Sequence, residues 1–250
     1  DLSGNYSGTP TDVSYGVGEF DLAGVFNGSS SYINTANAIK DWASDNFTIS
    51  MWVSVISTPV SGERYFYCTM ADSASRLIYL KLNSNGTVAL HCQNGASESI
   101  STSTTVLTLG TWYHIVGTYS TSTGGNIYVN SVSENTASYV ALDRAAHTFT
   151  SIGKWAIALS GYVNSEIDQV RIFNKALNSS EVTTLYNETA CTKAACTGTT
   201  NTLDILGDGS CIATYPLDGS PADLSGNYNG VQTNVTYPQG EFDLAGAFSS

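Results

Sequence analysis

Positive charge is scarce in this chain. Nine Lys and Arg stand against 21 Asp and Glu in 250 residues, a formal net charge of −12. The basic residues are scattered, and the acidic excess repels phosphate backbones, so nucleic acid is excluded as a partner. Proline is rare, at five, and charged residues of both signs reach only 12%. No apolar run approaches the roughly 20 residues of a membrane span, which excludes insertion as a helix. The chain does not begin with Met and opens without a signal-peptide pattern, so a mature or excised piece is expected. The patterns G-x-S-x-G, H-E-x-x-H and the phosphate loop do not occur. The three histidines, His91, His114 and His147, show no metal-ligand spacing.

What the chain has in excess is Ser and Thr, 62 of 250 residues. An acidic, hydroxyl-rich, Lys-poor surface suits an extracellular, cell-surface or virion-surface protein. Seven N-x-S/T sequons occur, at Asn5, Asn27, Asn46, Asn85, Asn178, Asn187 and Asn234. This composition gives roughly five by chance, so they read mostly as composition.

The chain also repeats itself. "DLSGNYSGTPTDVSYGVGEFDLAGVFNG" (1–28) and "DLSGNYNGVQTNVTYPQGEFDLAGAFSS" (223–250) agree at 18 of 28 positions without a gap, at a period of 222 residues. That period is the size of a domain rather than of a solenoid unit. The expected organisation is one module over 1–190, a Cys-containing linker over 191–210, and the first strands of a following module over 211–250.

Period-two alternation dominates the module. In "FTISMWVSV", Phe47, Ile49, Met51 and Val53 share one face, and Thr48, Ser50, Trp52 and Ser54 share the other. "ERYFYCTM", "RLIYLKLN" and "TVALHCQN" predict a three-strand antiparallel meander. "TWYHIVGTYS", "TGG" and "NIYVNSVS" predict a hairpin, and "SGYVNSEIDQVRIFN" closes the set. No long helices intervene, so the class is all-β. One short helix is predicted over 179–187, with Asn178 as cap, Glu181 as capping-box partner and Leu177 stapled to Val182.

Cys68, with Phe66 and Met70, and Cys92, with Val88 and Leu90, sit on apolar phases of their strands. The strand 76–82 is expected between theirs. Two strand spacings are about 9.6 Å, beyond the roughly 7 Å Cα limit of a disulfide. Two buried free thiols are therefore expected, and any bridge should come from Cys191, Cys196 and Cys211.

Five stretches in order, "FNGSSSYI" (26–33), "FTISMWV" (47–53), "WYHIVGTYS" (112–120), "NIYVN" (126–130) and "EIDQVRIFNKALNSSEVTTLYNE" (166–188), resemble the laminin-G-like, concanavalin A-like jelly-roll modules. The resemblance covers about 1–190 and the restart at 212–250. The tandem style is similar to surface and fibre proteins of marine phages and bacteria. It implies a two-sheet antiparallel β-sandwich, a jelly roll, with one short C-terminal helix. It also implies a structural Ca²⁺, held by the carboxylate of Asp168 with candidate partners Asp1 and the turn around Asn27. The competing reading has Asp168 paired with Arg171 or Lys154, or capping a turn.

For sugar recognition the candidates are Trp52, Tyr67, Tyr79, His114 and Tyr128, which share strand phases with polar neighbours. Against this, such aromatics also serve as core or cross-strand pairs. "EIDQV" superficially resembles the E-x-D-x-E set of glucanases, but position 170 is Val and the last strand is the wrong place for it. The expectation is therefore non-catalytic: a module binding glycans or cell-surface polysaccharide, with a fibre spacer as the rival reading and a glycoside hydrolase as the weaker one. Within "CIATYPLDG" (211–219), residues 212–218 are expected to pair beside the final strand region (167–173) or to dock in a following copy. The second, head-to-tail arrangement is favoured, because 223–250 repeats residues already present.

Overall fold

The computed structural model describes residues 5–40, 44–71, 75–188, 211–215, 235–236 and 247–248. Asp1 and the linker 191–210 lie outside them. Two antiparallel sheets face each other. One runs β1 (Gly8–Thr11), β4 (Tyr32–Thr35), β13 (Phe149–Ile152), β6 (Glu63–Met70), β7 (Arg76–Asn83), β8 (Val88–Asn94), β9 (Ser97–Thr102). The other runs β12 (Val132–Ala137), β11 (Gly124–Val129), β10 (Trp112–Ser120), β5 (Phe47–Ser57), β14 (Asn164–Phe173), β3 (Leu22–Asn27), β2 (Ser14–Val17). The fold is the all-β sandwich that the alternation predicts, including the β6–β7–β8 meander and the β10–β11 hairpin.

The core forms where the two inner faces meet. Phe47, Ile49, Met51 and Val53 of β5 pack with Ile78, Leu80 and Leu82 of β7 and with Leu90 and Cys92 of β8. Alternation alone fails in two strands, each for the same reason. In β6 the register slips between Tyr65 and Tyr67, so Phe66 and Tyr67 both enter the core while Tyr65 and Cys68 face outward. In β14 it slips between Asp168 and Arg171, with Gln169 at a φ of 48°. One extra residue in a strand resets the face of everything after it.

Cys68 and Cys92 are buried free thiols, as the strand spacing requires. The sequence phase put both toward the same side; the bulge in β6 instead sends Cys68 outward with Met70, Leu77 and Tyr79, and leaves Cys92 in the core. Burial pushes the Cys68 thiol up to about 12, so it is unreactive at neutral pH.

Helix α1 (Ser179–Tyr186) has the predicted cap: Asn178 Oδ1 accepts from Glu181 N at 3.0 Å, and Glu181 returns to Asn178 N at 2.9 Å. Its Val182 and Leu185, with Leu177, sit on Val116, Tyr128 and Phe173, the outward side of the β5-containing sheet. A strand β15 (Cys211–Tyr215) pairs antiparallel with β14, Val170 opposite Tyr215 and Phe173 opposite Cys211. This is the less favoured of the two arrangements expected for this segment, a pairing within the chain beside 167–173. Two short strands, β16 (Val235–Thr236) and β17 (Ala247–Phe248), pair with each other.

Candidate carbohydrate-binding face

The two sheets turn different outward faces to their surroundings. On the β5 sheet, Trp52, His114 and Tyr128 do share a face, as their phase predicts, but α1 covers it. Tyr186 stacks on Trp52 at 5.7 Å, Phe20 meets it edge-on at 5.7 Å, and His114 lies 5.2 Å away. Trp52, His114 and Tyr128 are 6%, 1% and 5% exposed. Tyr67 is fully buried in the core because of the β6 bulge. A ligand in solution reaches none of these rings. Strand phase can identify the side away from the core, but it cannot say that a later helix will lie on it.

Asp168 is fully buried on the same helix-covered sheet. Its Oδ2 accepts from Phe20 N at 2.8 Å, which ties the β2–β3 turn to β14. Asn27 pairs opposite Asn164, four residues along the strand and roughly 13 Å away. Its Oδ1 accepts from the amides of Ser29, Ser30 and Ser31, a self-contained turn. Among the described residues no group of three His, Cys, Asp or Glu forms a metal cluster. Asp168 and Asn27 thus do not converge on one ion. The neighbours Arg171 and Lys154 are engaged elsewhere: Arg171 with Glu188, and Lys154 Nζ with the carbonyls of Trp155 and Ala156 at 3.1 and 3.2 Å.

The outward face of the β6–β7–β8–β9 sheet is different. Tyr65, Tyr79 and Trp155 form an aromatic group: Tyr65 lies 4.7 Å from Trp155 and 5.1 Å from Tyr79, both edge-on. Tyr65 and Trp155 are only partly buried. Trp155 comes from the loop after β13, which arches over β6; Tyr65 N donates to Gly161 O at 3.1 Å. Gly161, at φ +66°, passes so close that a Cβ there would stand 2.5 Å from the Tyr65 ring. Only glycine allows that approach.

Polar groups border the rings. Glu63 takes a bond from Tyr65 OH at 3.2 Å and pairs with Lys81, whose Nζ also lies 5.6 Å from the Tyr79 ring centre. Tyr79 OH bonds His91 Nδ1, and His91 Nε2 is 3.1 Å from Glu98 Oε2. Burial and the Lys81 charge push His91 below its usual range, outweighing Glu98 and Glu63. A neutral imidazole then accepts from Tyr79 and turns its Nε2 hydrogen toward Glu98. Burial and the neighbouring Glu63 charge raise the Tyr65 and Tyr79 phenols, so both keep their protons.

Chemically, this face offers flat apolar rings beside fixed donors and acceptors, which suits a sugar with apolar ring faces and hydroxyl edges. Glu63 on β6 and Glu98 on β9 are separated by the two strands β7 and β8. Of the residues singled out from the sequence, only Tyr79 lies here, and at 4% exposed it backs the other two rings and is not itself open to a ligand. The phase Leu77, Tyr79, Lys81 carried a signal for this face. Tyr65 shares its phase with Tyr67, but the bulge between them leaves only Tyr65 on this face, and Trp155 arrives from a loop that no periodicity marks. A shallow cleft also lies at one end of the sandwich, between Lys40 and residues 142–145. Lys40 is spent there on the carbonyls of Ala145 and His147, at 3.3 and 3.0 Å.

The architecture is shared with solved structures. Domain 4 of AbnA, a GH43 extracellular arabinanase from Geobacillus stearothermophilus, determined in complex with arabinotriose, superposes with a TM-score of 0.63 at 22% identity, over 75% of this chain and 93% of that domain. A native heptameric SAP-like pentraxin from Limulus polyphemus gives 0.52 at 17%, over 69% of this chain and 84% of its own. The botulinum neurotoxin serotype G binding domain gives 0.58 at 17%, over 72% of this chain and 46% of its own. At these identities the likeness establishes the fold. A search of curated proteins gave no match. Residues 27–183, more than half of the sequence, match the laminin-G-type profile described as the concanavalin A-like lectin/glucanases superfamily, and the chain belongs to that superfamily.

Proposed function

We propose that this chain is a non-catalytic glycan-binding module of an extracellular or virion-surface protein built from tandem copies. The observation that carries the reading is the partly exposed Tyr65–Trp155 pair, backed by the buried Tyr79 and bordered by Glu63, Lys81, His91 and Glu98. The arabinotriose complex of the AbnA domain agrees with it. Within the group one ammonium faces two carboxylates, and the chain carries −12 overall. That charge favours neutral sugars and disfavours acidic ones. A binding rather than hydrolytic role is supported by how the acids are used. Glu63 and Glu98 are each engaged by a neighbour, Lys81 and His91, and the Glu166–Asp168 pair includes the fully buried Asp168.

A glycan array spanning neutral and acidic polysaccharides tests this directly. Trp155→Ala is expected to cut affinity for a bound neutral glycan at least tenfold, about 1.4 kcal/mol, with an unchanged circular dichroism spectrum. Tyr186→Ala, on the helix-covered face, should leave affinity as it was. Equal losses in both variants, or no binding to any neutral glycan, would reject the reading. The rival, a fibre spacer that binds no sugar, is favoured by the strand that the second copy lays on β14.

Calcium is a separate proposal, attached to Asp168 alone among the described candidates. If it is bound there, EDTA should lower the melting temperature, and Asp168→Asn should remove that sensitivity. An identical melting curve with and without EDTA, on protein first loaded with Ca²⁺, ends the proposal.

A further inference from the structure

The strand that completes the second edge of β14 stands, in sequence, just ahead of the second repeat at Asp223. One edge of β14 is occupied by β5 along its length, from Asn164 to Phe173. On the other edge β3 covers only Asn164–Ile167. Past the bulge at Gln169, Val170–Phe173 pair with β15, so β3 and β15 lie end to end on that edge.

Cys211–Tyr215 stands just ahead of the second "DLSGNY", and one 222-residue period earlier falls ahead of Asp1. The register downstream matches that of the first copy. Thr236 pairs with Ala247 in the β16–β17 hairpin, and one period earlier Ser14 pairs with Val25 in β2–β3. The second copy therefore rebuilds the same hairpin in the same register. Among the described residues, that hairpin joins neither sheet of the first sandwich. Only β15 does.

We propose that the Val170–Phe173 edge of β14 is a docking slot for the leading strand of another copy of this unit. The strand at 211–215 of one repeat completes the sheet of the repeat before it, and between separate chains the same strand exchanges. An open edge here would leave backbone donors and acceptors unpaired beside Ile172 and Phe173, both fully buried. Strand addition satisfies them through main-chain bonds. The contact is heterologous, edge of one unit to leading strand of the next, so it propagates along an array instead of closing into a pair. It is independent of what the aromatic face binds.

The test uses the full chain and a labelled peptide of residues 209–218 under reducing conditions. In the double variant Ala213→Pro/Thr214→Pro, two consecutive amide hydrogens are lost, one of which faces β14 whichever way the strand is phased. The variant should bind the peptide at least tenfold more tightly than the unaltered chain, whose slot is filled. A peptide carrying both prolines should not bind. Hydrogen exchange on the unaltered chain needs no folded variant: amides within 170–173 should be protected, and added peptide should exchange into the slot on prolonged incubation. Unprotected amides there, or equal peptide binding by variant and unaltered chain, would overturn the proposal.

Discussion

Lowering the pH from 7 to 5 is expected to cost this fold about 4 kcal/mol, from two histidines alone. His114 and His147 are each 1% exposed. Burial, helped by the Arg171 charge, pushes His114 down to about 3. Burial pushes His147 down to about 4, with Asp143 opposing and Lys40 and Arg144 assisting. Nε2 of His114 meets Ser50 Oγ at 2.8 Å, and its Nδ1 has no hydrogen-bond partner among the described residues. In the unfolded chain both imidazoles take a proton as the pH falls through about 6.5. In the folded chain they stay neutral until near 3 and 4. The unfolded state therefore binds more protons throughout that window, and stability drops as the pH falls, by about 2 kcal/mol per histidine between pH 7 and 5.

His91 is shifted in the same direction and adds to the loss. Carboxylates enter lower. Burial alone would raise Asp45, but its bonds from Leu142 N, Arg144 and Tyr139 hold it below its ordinary value, so its contribution is lost in more acid solution. Urea midpoints at pH 7, 6 and 5 measure the effect. His114→Gln should flatten the slope by about one histidine's share. A midpoint that does not move between pH 7 and 5 contradicts buried neutral imidazoles.

The second large effect lies where α1 meets β14. Arg171 is 1% exposed, and its guanidinium meets both oxygens of Glu188, at 2.5 and 2.9 Å, and Gln169 Oε1 at 2.9 Å. Removing one partner of a buried pair leaves an uncompensated charge and costs about 3–5 kcal/mol. Glu188→Ala should destabilise the chain by about that amount and loosen the C-terminal end of α1, exposing the Trp52–Tyr186 stack. Thermal melts give the stability change, and tryptophan fluorescence reports the stack. Arg171→Met/Glu188→Leu should recover most of the loss, because the pair's net worth against an apolar replacement is small. If Glu188→Ala melts like the unaltered chain, Arg171 is not held as described.

Local patterning was enough for much of this protein. Alternation in β5 and β7 set their inner faces, because a period-two strand can bury only one side against an opposing sheet. The Asn178–Glu181 box and the Leu177–Val182 contact set the start of α1, since capping uses groups within one turn. The strand between Cys68 and Cys92 was enough to rule out a disulfide. The repeat at 223 was readable as identity; the pairing of Cys211–Tyr215 with β14 was one of two arrangements it left open, and not the favoured one.

Tertiary structure decided the rest. Whether Trp52 and His114 meet solvent depended on α1, more than sixty residues later in sequence, folding back over them. Which of Tyr65 and Tyr67 faces outward depended on one bulge, whose extra residue is fixed by pairing with β7 and not by β6 itself. The aromatic face exists only because a loop closed by Gly161 brings Trp155 onto strands from elsewhere in the chain. Periodicity records which side of a strand a residue occupies. What covers that side is set by contacts between distant segments, and those determine which aromatic rings remain free to bind.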